Sequence, residues 1–376
     1  MVTLREFTAK HGIGLAGTET PTITKDMVRG RGARSNVSGR FECNKRLLFD
    51  DGWQSLDEQP AVKTEVFEER PKKLINRNTS PDLNFELSIN PYRGCEHGCS
   101  YCYARPAHAY VGLSPGLDFE SKLFAKPDAA EVLRKELMAP GYEPKLIVLG
   151  GNTDAYQPIE RRYRITRQIL EVLNEFNNPV GIVTKSALIL RDLDILQQMA
   201  QKGLVNVAIS VTSLDGKIAR KMEPRAATPI KRLQALEVLA ASGIPTTVMV
   251  APIVPAINDS EIEAILKAAK AAGAEEAGYI ILRLPHELKD MFREWLHSEF
   301  PDRAKHVISL LKSMREGKDY DPSFGKRLKG VGPYAWSIGR RFEIMAKRLG
   351  LNEIERDLRT DLFQRPPQPG DQLTLL

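Results

Sequence analysis

The chain has 376 residues, 42% of them hydrophobic, and carries 54 Lys and Arg against 48 Asp and Glu for a net charge of +6. That supports one barrel-sized core with extensions, and four cysteines in a chain this long do not make a disulfide framework. The first ten residues show no apolar run after their charges and no apolar stretch reaches the roughly 18–20 residues of a membrane span, so a cytoplasmic protein with reduced thiols and no membrane partner is expected.

Residues 1–80 have little periodicity and include the run Arg29-Gly-Arg-Gly-Ala-Arg34. They read as an irregular extension that wraps the core or stays mobile. Cys43 stands alone within it, an ordinary thiol or, alternatively, a redox or hydrogen-donor group. From about residue 85 short apolar strands alternate with helical segments. The predicted strands are 85–89, 145–149, 180–184, 205–211, 246–250 and 279–282. The predicted helices between them are 129–138, 164–176, 192–202, 229–242 and 259–272. Six βα units in a row argue for a parallel sheet with right-handed crossovers. Six are too few to close an eight-stranded barrel, so the expected fold class is α/β, a partial (βα)6 barrel over residues 81–285.

Residues 286–364 read as helical, with apolar residues at helical intervals over 286–300, 302–315 and 334–349. Residues 303–365 hold 15 Lys and Arg against 8 Asp and Glu, so the whole positive surplus of the chain sits there. Clusters such as Lys326-Arg327-Leu-Lys329, Arg340-Arg341 and Lys347-Arg348, with Tyr334, Trp336 and Phe342 among them, suit a polyanion surface; a solvated basic helix face is the alternative. Residues 365–376 begin with Arg365-Pro-Pro-Gln-Pro-Gly370, a stiff tether with no core-forming content.

The chemistry is concentrated after the first strand of the barrel, in Cys95-Glu-His-Gly-Cys99-Ser-Tyr-Cys102. This spacing brings three thiolates into one small volume and leaves a four-iron cluster one ligand short. Zinc is the alternative, but a structural zinc site draws four ligands, usually as two separated pairs. His97 could supply a fourth donor only in a cramped geometry.

Cys95, Cys99 and Cys102, with Tyr101 before the last of them, resemble the signature of the radical S-adenosylmethionine (SAM) enzymes. The resemblance implies a [4Fe-4S] cluster held on three irons by these thiolates. It also implies a SAM cofactor whose methionine amine and carboxylate chelate the fourth iron. An electron from an external donor then cleaves the cofactor to a deoxyadenosyl radical. Over roughly residues 85–285 the chain resembles the spore-photoproduct-lyase-like branch of that family. By this resemblance the cofactor's amino end meets Gly150-Gly151-Asn152-Thr153-Asp154, with Thr153 and Asp154 matching a Ser-Asp pair. Lys185 matches a lysine for the cofactor carboxylate, and Tyr101 and Ser210 match further cofactor contacts. Read from the residues alone, Gly150-Gly151 is also what a tight turn after a strand needs, and Lys185 is also a plain loop lysine.

Tyr103 matches a tyrosine that helps relay a hydrogen atom between substrate and cofactor, with a packing aromatic as the alternative. The branch also uses a cysteine in the second-strand loop to quench the substrate radical. Here no cysteine follows Cys102, and Gly151 or Asn152 stands at that place. The expected activity is therefore radical chemistry on nucleic acid, in DNA repair or modification, rather than strict photoproduct lyase activity. RNA or protein modification, or a non-catalytic iron-sulfur accessory factor, are the alternatives. The last five residues, Gln372-Leu-Thr-Leu-Leu376, resemble the short peptide that bacterial repair proteins insert into the sliding clamp, which implies the clamp as a further partner.

Overall fold

The computed structural model describes residues 30–42, 62–354 and 356–367; Cys43 and the peptide Gln372 to Leu376 lie outside the described residues. Ten strands among the described residues make two sheets: β1 (Glu65–Glu68), β2 (Asn76–Arg77), β3 (Leu87–Ile89), β4 (Tyr92–Arg93), β5 (Lys122–Ala125), β6 (Ile147–Leu149), β7 (Val180–Thr184), β8 (Val205–Ser210), β9 (Thr246–Ile253) and β10 (Glu276–Ile281). The larger sheet runs β10-β9-β8-β7-β6-β3-β2. Its strands from β3 to β10 are parallel, and only β2 pairs antiparallel, against β3. This is the expected α/β architecture of six parallel strands that do not close on themselves.

The strands form where short β-branched runs can be covered on both faces. Val205, Val207 and Ile209 of β8 are fully buried, as are Val180 and Ile182 of β7. The helix Ile165–Glu175 covers one flank through Ile165, Ile169, Leu170 and Leu173, which return on one face at helical spacing. Differences from the sequence reading lie at the ends. β9 runs on to Ile253, β10 starts at Glu276, and a single 3-10 turn, Asp259–Glu261, precedes the helix Ile262–Ala271. The smaller sheet, β1-β5-β4, was not expected, because β1 and β4 are too short and polar to show alternation. Part of it, β1, and the edge strand β2 fall within residues read as irregular.

The two free edges of the large sheet are clasped by side chains. Asp82, in the hairpin between β2 and β3, accepts from the Gly325 amide and the Arg327 Nε, each at 2.6 Å. The same guanidinium donates to the Ser80 hydroxyl, and the neighbouring residue Leu328 accepts from the Ile281 amide of β10 at 2.9 Å.

The C-terminal region is helical as expected, with helices Leu288–Glu299, Pro301–Ser313 and Gly332–Arg348. Its basic residues are less free than their number suggests. Arg327 pairs with Asp82, Arg341 with Glu263, Arg356 with Glu275, Arg340 with Glu343 and Lys326 with Glu316. Phe342 packs on Tyr279 and Tyr334 donates to Asp259 at 2.6 Å, so of the three aromatic residues only Trp336 is exposed.

Residues 30–42 form a strap across the cysteine loop. Glu120, fully buried, accepts from the Gly32 and Ala33 amides at 3.0 and 2.7 Å and from Arg105, which is also fully buried. Arg105 uses its remaining donors on the carbonyls of Cys99, Pro115 and Gly116. Gly32 lies so close to the loop that a Cβ there would stand 1.7 Å from the Gly98 carbonyl oxygen. Beyond it Arg34, Ser35 and Arg40 are held by Glu299, Glu294 and Glu287, which ties the helix Leu288–Glu299 to the same strap.

Removing one member of a wholly buried ion pair leaves the other charge without a partner, which costs about 3–5 kcal/mol. Glu120→Ala should lose stability on that scale. Glu175→Ala, which breaks the exposed pair with Arg134, should lose no more than about 1 kcal/mol. Urea denaturation of the two variants checks this, and equal midpoints would contradict the role given to Glu120.

Candidate active site at the carboxyl end of the sheet

The loop bearing Cys95, Cys99 and Cys102 follows β3 and β4, at the end of the sheet where parallel barrels place their chemistry. It is fastened from several sides. The Cys95 amide donates to Phe119 O at 2.9 Å, and the Ser100 amide to Met222 O at 3.0 Å. Buried Gln157 accepts from the Glu96 amide at 2.9 Å and donates to Gly94 O at 3.0 Å. Arg105 grips the Cys99 carbonyl with two donors.

Cys95 and Cys99 are buried, Cys102 is half-buried, and all three are free thiols. Burial pushes the Cys99 thiol up to about 12, helped by Glu223 and Cys102 and opposed by Lys185. Burial also raises Cys95, with Asp154 and the other two thiols adding to it. The three sulfurs therefore lie within electrostatic reach of one another, in a place where their anionic forms need a cation. Among the described residues no group of three His, Cys, Asp or Glu side chains is gathered around a single point as one metal ion would require. The donor set of three thiols on one fastened loop suits a group that takes each sulfur on a separate metal atom.

The loop after β6 supplies the next side of the site. Gly150 has φ 84°, and a Cβ there would stand 2.1 Å from Val183 O, so glycine is required. Thr153 turns its hydroxyl into the fold, donating to Tyr92 O at 2.9 Å. Asp154 accepts from Thr184 Oγ1 at 2.7 Å, the Lys185 amide at 2.8 Å and the Tyr156 amide at 2.9 Å. His97, inside the cysteine loop, places Nδ1 3.4 Å from its other face, an ion-pair distance without an aligned hydrogen bond. Burial works to raise the Asp154 carboxyl, but His97, Thr184 and the Lys185 amide outweigh it and hold the group well below the usual carboxylate range.

The ammonium of Lys185, just past the end of β7, makes no hydrogen bond or ion pair with the described residues. Its ammonium lies 6.0 Å from the Tyr101 ring centre. Burial alone would lower it, yet Glu223, Cys99 and Asp154 surround it with negative charge and raise it. Tyr101 points its hydroxyl to Glu223, which also takes Thr212 at 2.5 Å and the buried guanidinium of Arg232. Ser210 donates to Ala251 O at 2.9 Å. The hydroxyls of Thr153 and Ser210 are thus committed to backbone carbonyls.

Tyr103 opens outward, with 43% of its surface exposed. Its hydroxyl donates to the carbonyl of Gly151, and the Arg283 guanidinium lies 4.2 Å from its ring centre. Cys95, Cys99, Cys102, Tyr101, Asp154 and Lys185 therefore face one region, with Tyr103 and Gly151 at its mouth. Glu223, Arg232, Gln157 and Arg283 were not expected from the sequence. Only Arg283 carried a signal, a charged residue just past the end of a barrel strand.

Residues 89–269 match the Radical SAM superfamily. An uncharacterized protein of Mycobacterium tuberculosis is 35% identical over 249 residues, 66% of this chain and 72% of its own length. Among solved structures, a mutant of spore photoproduct lyase superposes with a TM-score of 0.57 at 16% identity, covering 83% of this chain and 87% of that one. Spore photoproduct lyase complexed with dinucleoside spore photoproduct gives a TM-score of 0.57 at 16% identity, over 76% and 80% of the two chains. At that identity the likeness is one of fold. The family pattern spans the strands and loops that build this mouth, and with it the chain belongs to the radical SAM superfamily of enzymes.

Proposed function

We propose that Cys95, Cys99 and Cys102 hold a [4Fe-4S] cluster, that SAM binds beside it, and that the enzyme performs radical chemistry on nucleic acid, in DNA repair or modification. The observation that carries the cofactor reading is Lys185: a cation kept charged by its surroundings, without a hydrogen-bonding partner, beside the cysteine loop. Such a group suits the carboxylate of a bound amino acid. Asp154, held ionised by its own neighbours, gives the complementary charge for an amine. The backbone of Gly150 and Gly151 lets a ligand approach closely. When bound, the cluster and cofactor supply a deoxyadenosyl radical, with the electron drawn from an external donor.

The protein's own residues do the rest. Arg105, Gln157 and Met222 fix the loop that presents the thiols. Glu223 and Thr212 fix the Tyr101 ring under Lys185. Tyr103 stands at the mouth with its hydroxyl already oriented, where it can give or take a hydrogen atom. Substrate class rests on the fold shared with a lyase solved with a dinucleoside photoproduct, and on the basic C-terminal region. Gly151 stands in the loop where that branch uses a cysteine, which favours a different reaction from the lyase itself. The tail peptide Gln372 to Leu376 is proposed as a sliding-clamp anchor.

Anaerobically reconstituted, reduced protein should release deoxyadenosine from SAM, and damaged DNA should raise the rate. An intact cluster with no release would favour an accessory factor, and release indifferent to DNA would redirect the search to RNA or protein. Lys185→Ala should weaken SAM binding about 10- to 100-fold, the effect of losing one charge-assisted contact. Ser210→Ala, whose hydroxyl faces a backbone carbonyl, should change it less than about threefold. Calorimetry on cluster-loaded protein separates the two. Removing residues 372–376 should abolish capture by immobilised clamp while leaving deoxyadenosine release unchanged.

A further inference from the structure

We infer that Arg283 is a phosphodiester receptor on the substrate side of Tyr103, and that it seats the strand next to the reacting nucleotide. The inference rests on the nucleic-acid reading above and names the group that would recognise the substrate there. Arg283 lies two residues beyond β10, at the carboxyl end of the sheet, and is half-buried. Its guanidinium covers the Tyr103 ring at 4.2 Å, and no carboxylate among the described residues forms an ion pair with it. Asp82 is the acidic group whose charge it influences, and that carboxylate is already taken by the Gly325 amide and Arg327.

A second guanidinium stands nearby. Arg315 lies close enough to Arg283 for their charges to oppose one another, and it is buried. Its donors go to the carbonyls of Leu282 and Lys326, and among the described residues it forms no ion pair, though Asp321 acts on it from nearby. The charge of Lys185 also acts on Tyr103. Two cations, Lys185 beside the cysteine loop and Arg283 at its mouth, therefore act on an exposed aromatic ring. Lys185 suits the cofactor carboxylate. Arg283 presents a planar fork of donors that matches two oxygens of a phosphate. A ring with a cation at the edge of a groove is also how proteins hold single-stranded nucleic acid.

The test uses full-length, cluster-loaded protein and a fluorescent single-stranded oligonucleotide, titrated at several salt concentrations. Arg283→Gln should weaken binding about tenfold and reduce the salt slope by about 0.7, the value for one phosphate contact on a single strand. Arg283→Lys should restore the slope but not the full affinity, since the ammonium lacks the fork. Arg134→Gln, which removes an exposed charge on the helix 129–138, outside the basic C-terminal region, should change affinity less than about twofold. Circular dichroism and iron content confirm that each variant is folded and loaded.

An unchanged slope in Arg283→Gln, or equal losses in Arg283→Gln and Arg134→Gln, would overturn the inference. If oligonucleotide still raised deoxyadenosine release in that case, the nucleic-acid reading would stand without it. If the unaltered protein bound no oligonucleotide, both would fall, and an anionic peptide would become the next ligand to try.

Discussion

Arg105 and Glu120 are both removed from water, and each is tolerable only because the other is present. Desolvating two charges costs several kcal/mol per ion, and attraction between them offsets that only when the remaining donors and lone pairs are also filled. Here they are filled by backbone: the carbonyls of Cys99, Pro115 and Gly116 on one side, the amides of Gly32 and Ala33 on the other. The pair therefore welds three separate pieces of chain, namely the cysteine loop, the turn that follows it, and a strap some sixty residues upstream of Cys95. Geometry at the thiols depends on this junction, because Cys99 is held through its carbonyl by Arg105 itself.

The charges at the mouth follow from the same economy of partners. Asp154 and Glu223 are held as carboxylates beside the three sulfurs, and they stand against the cations Lys185 and Arg232. Arg232 is matched closely with Glu223, which leaves Lys185 as the cation without an ion-pair partner among the described residues. A ligand carrying both a carboxylate and an amine meets complementary charge at Lys185 and Asp154. The structure does not need to rearrange to offer it, which keeps the ordering cost of binding low.

The sequence made the barrel legible because most of its strands are short runs rich in apolar residues, as at Val180 to Thr184, followed by amphipathic helices such as Ile165–Glu175. The cysteine spacing was legible for a different reason: three like ligands in eight residues rarely arise without a shared task. The strap was not legible. Residues 30–42 carry no periodicity, and their docking depends on Gly32 fitting under Gly98 and on Glu120, a residue nearly ninety positions away. Glu223 and Arg232 were hidden similarly, since a buried ion pair between residues of different elements looks in sequence like two ordinary surface charges. Nor does the count of basic residues after 303 reveal that several are engaged by core carboxylates, as Arg341 is by Glu263 and Arg327 by Asp82.

The contact between Tyr103 and Gly151 bears on what kind of donor a tyrosine would be in the proposed reaction. At the mouth of the site this chain offers the Gly151 carbonyl, and the Tyr103 hydroxyl donates to it. A carbonyl is a weak base, so it orients the hydroxyl without drawing off its proton. The guanidinium over the ring opposes removal of an electron alone, which would put positive charge beside positive charge. Loss of a hydrogen atom changes no charge on the ring and meets no such penalty. The two contacts together therefore suit Tyr103 to exchanging a whole hydrogen atom, and they disfavour its oxidation by stepwise electron and proton transfer.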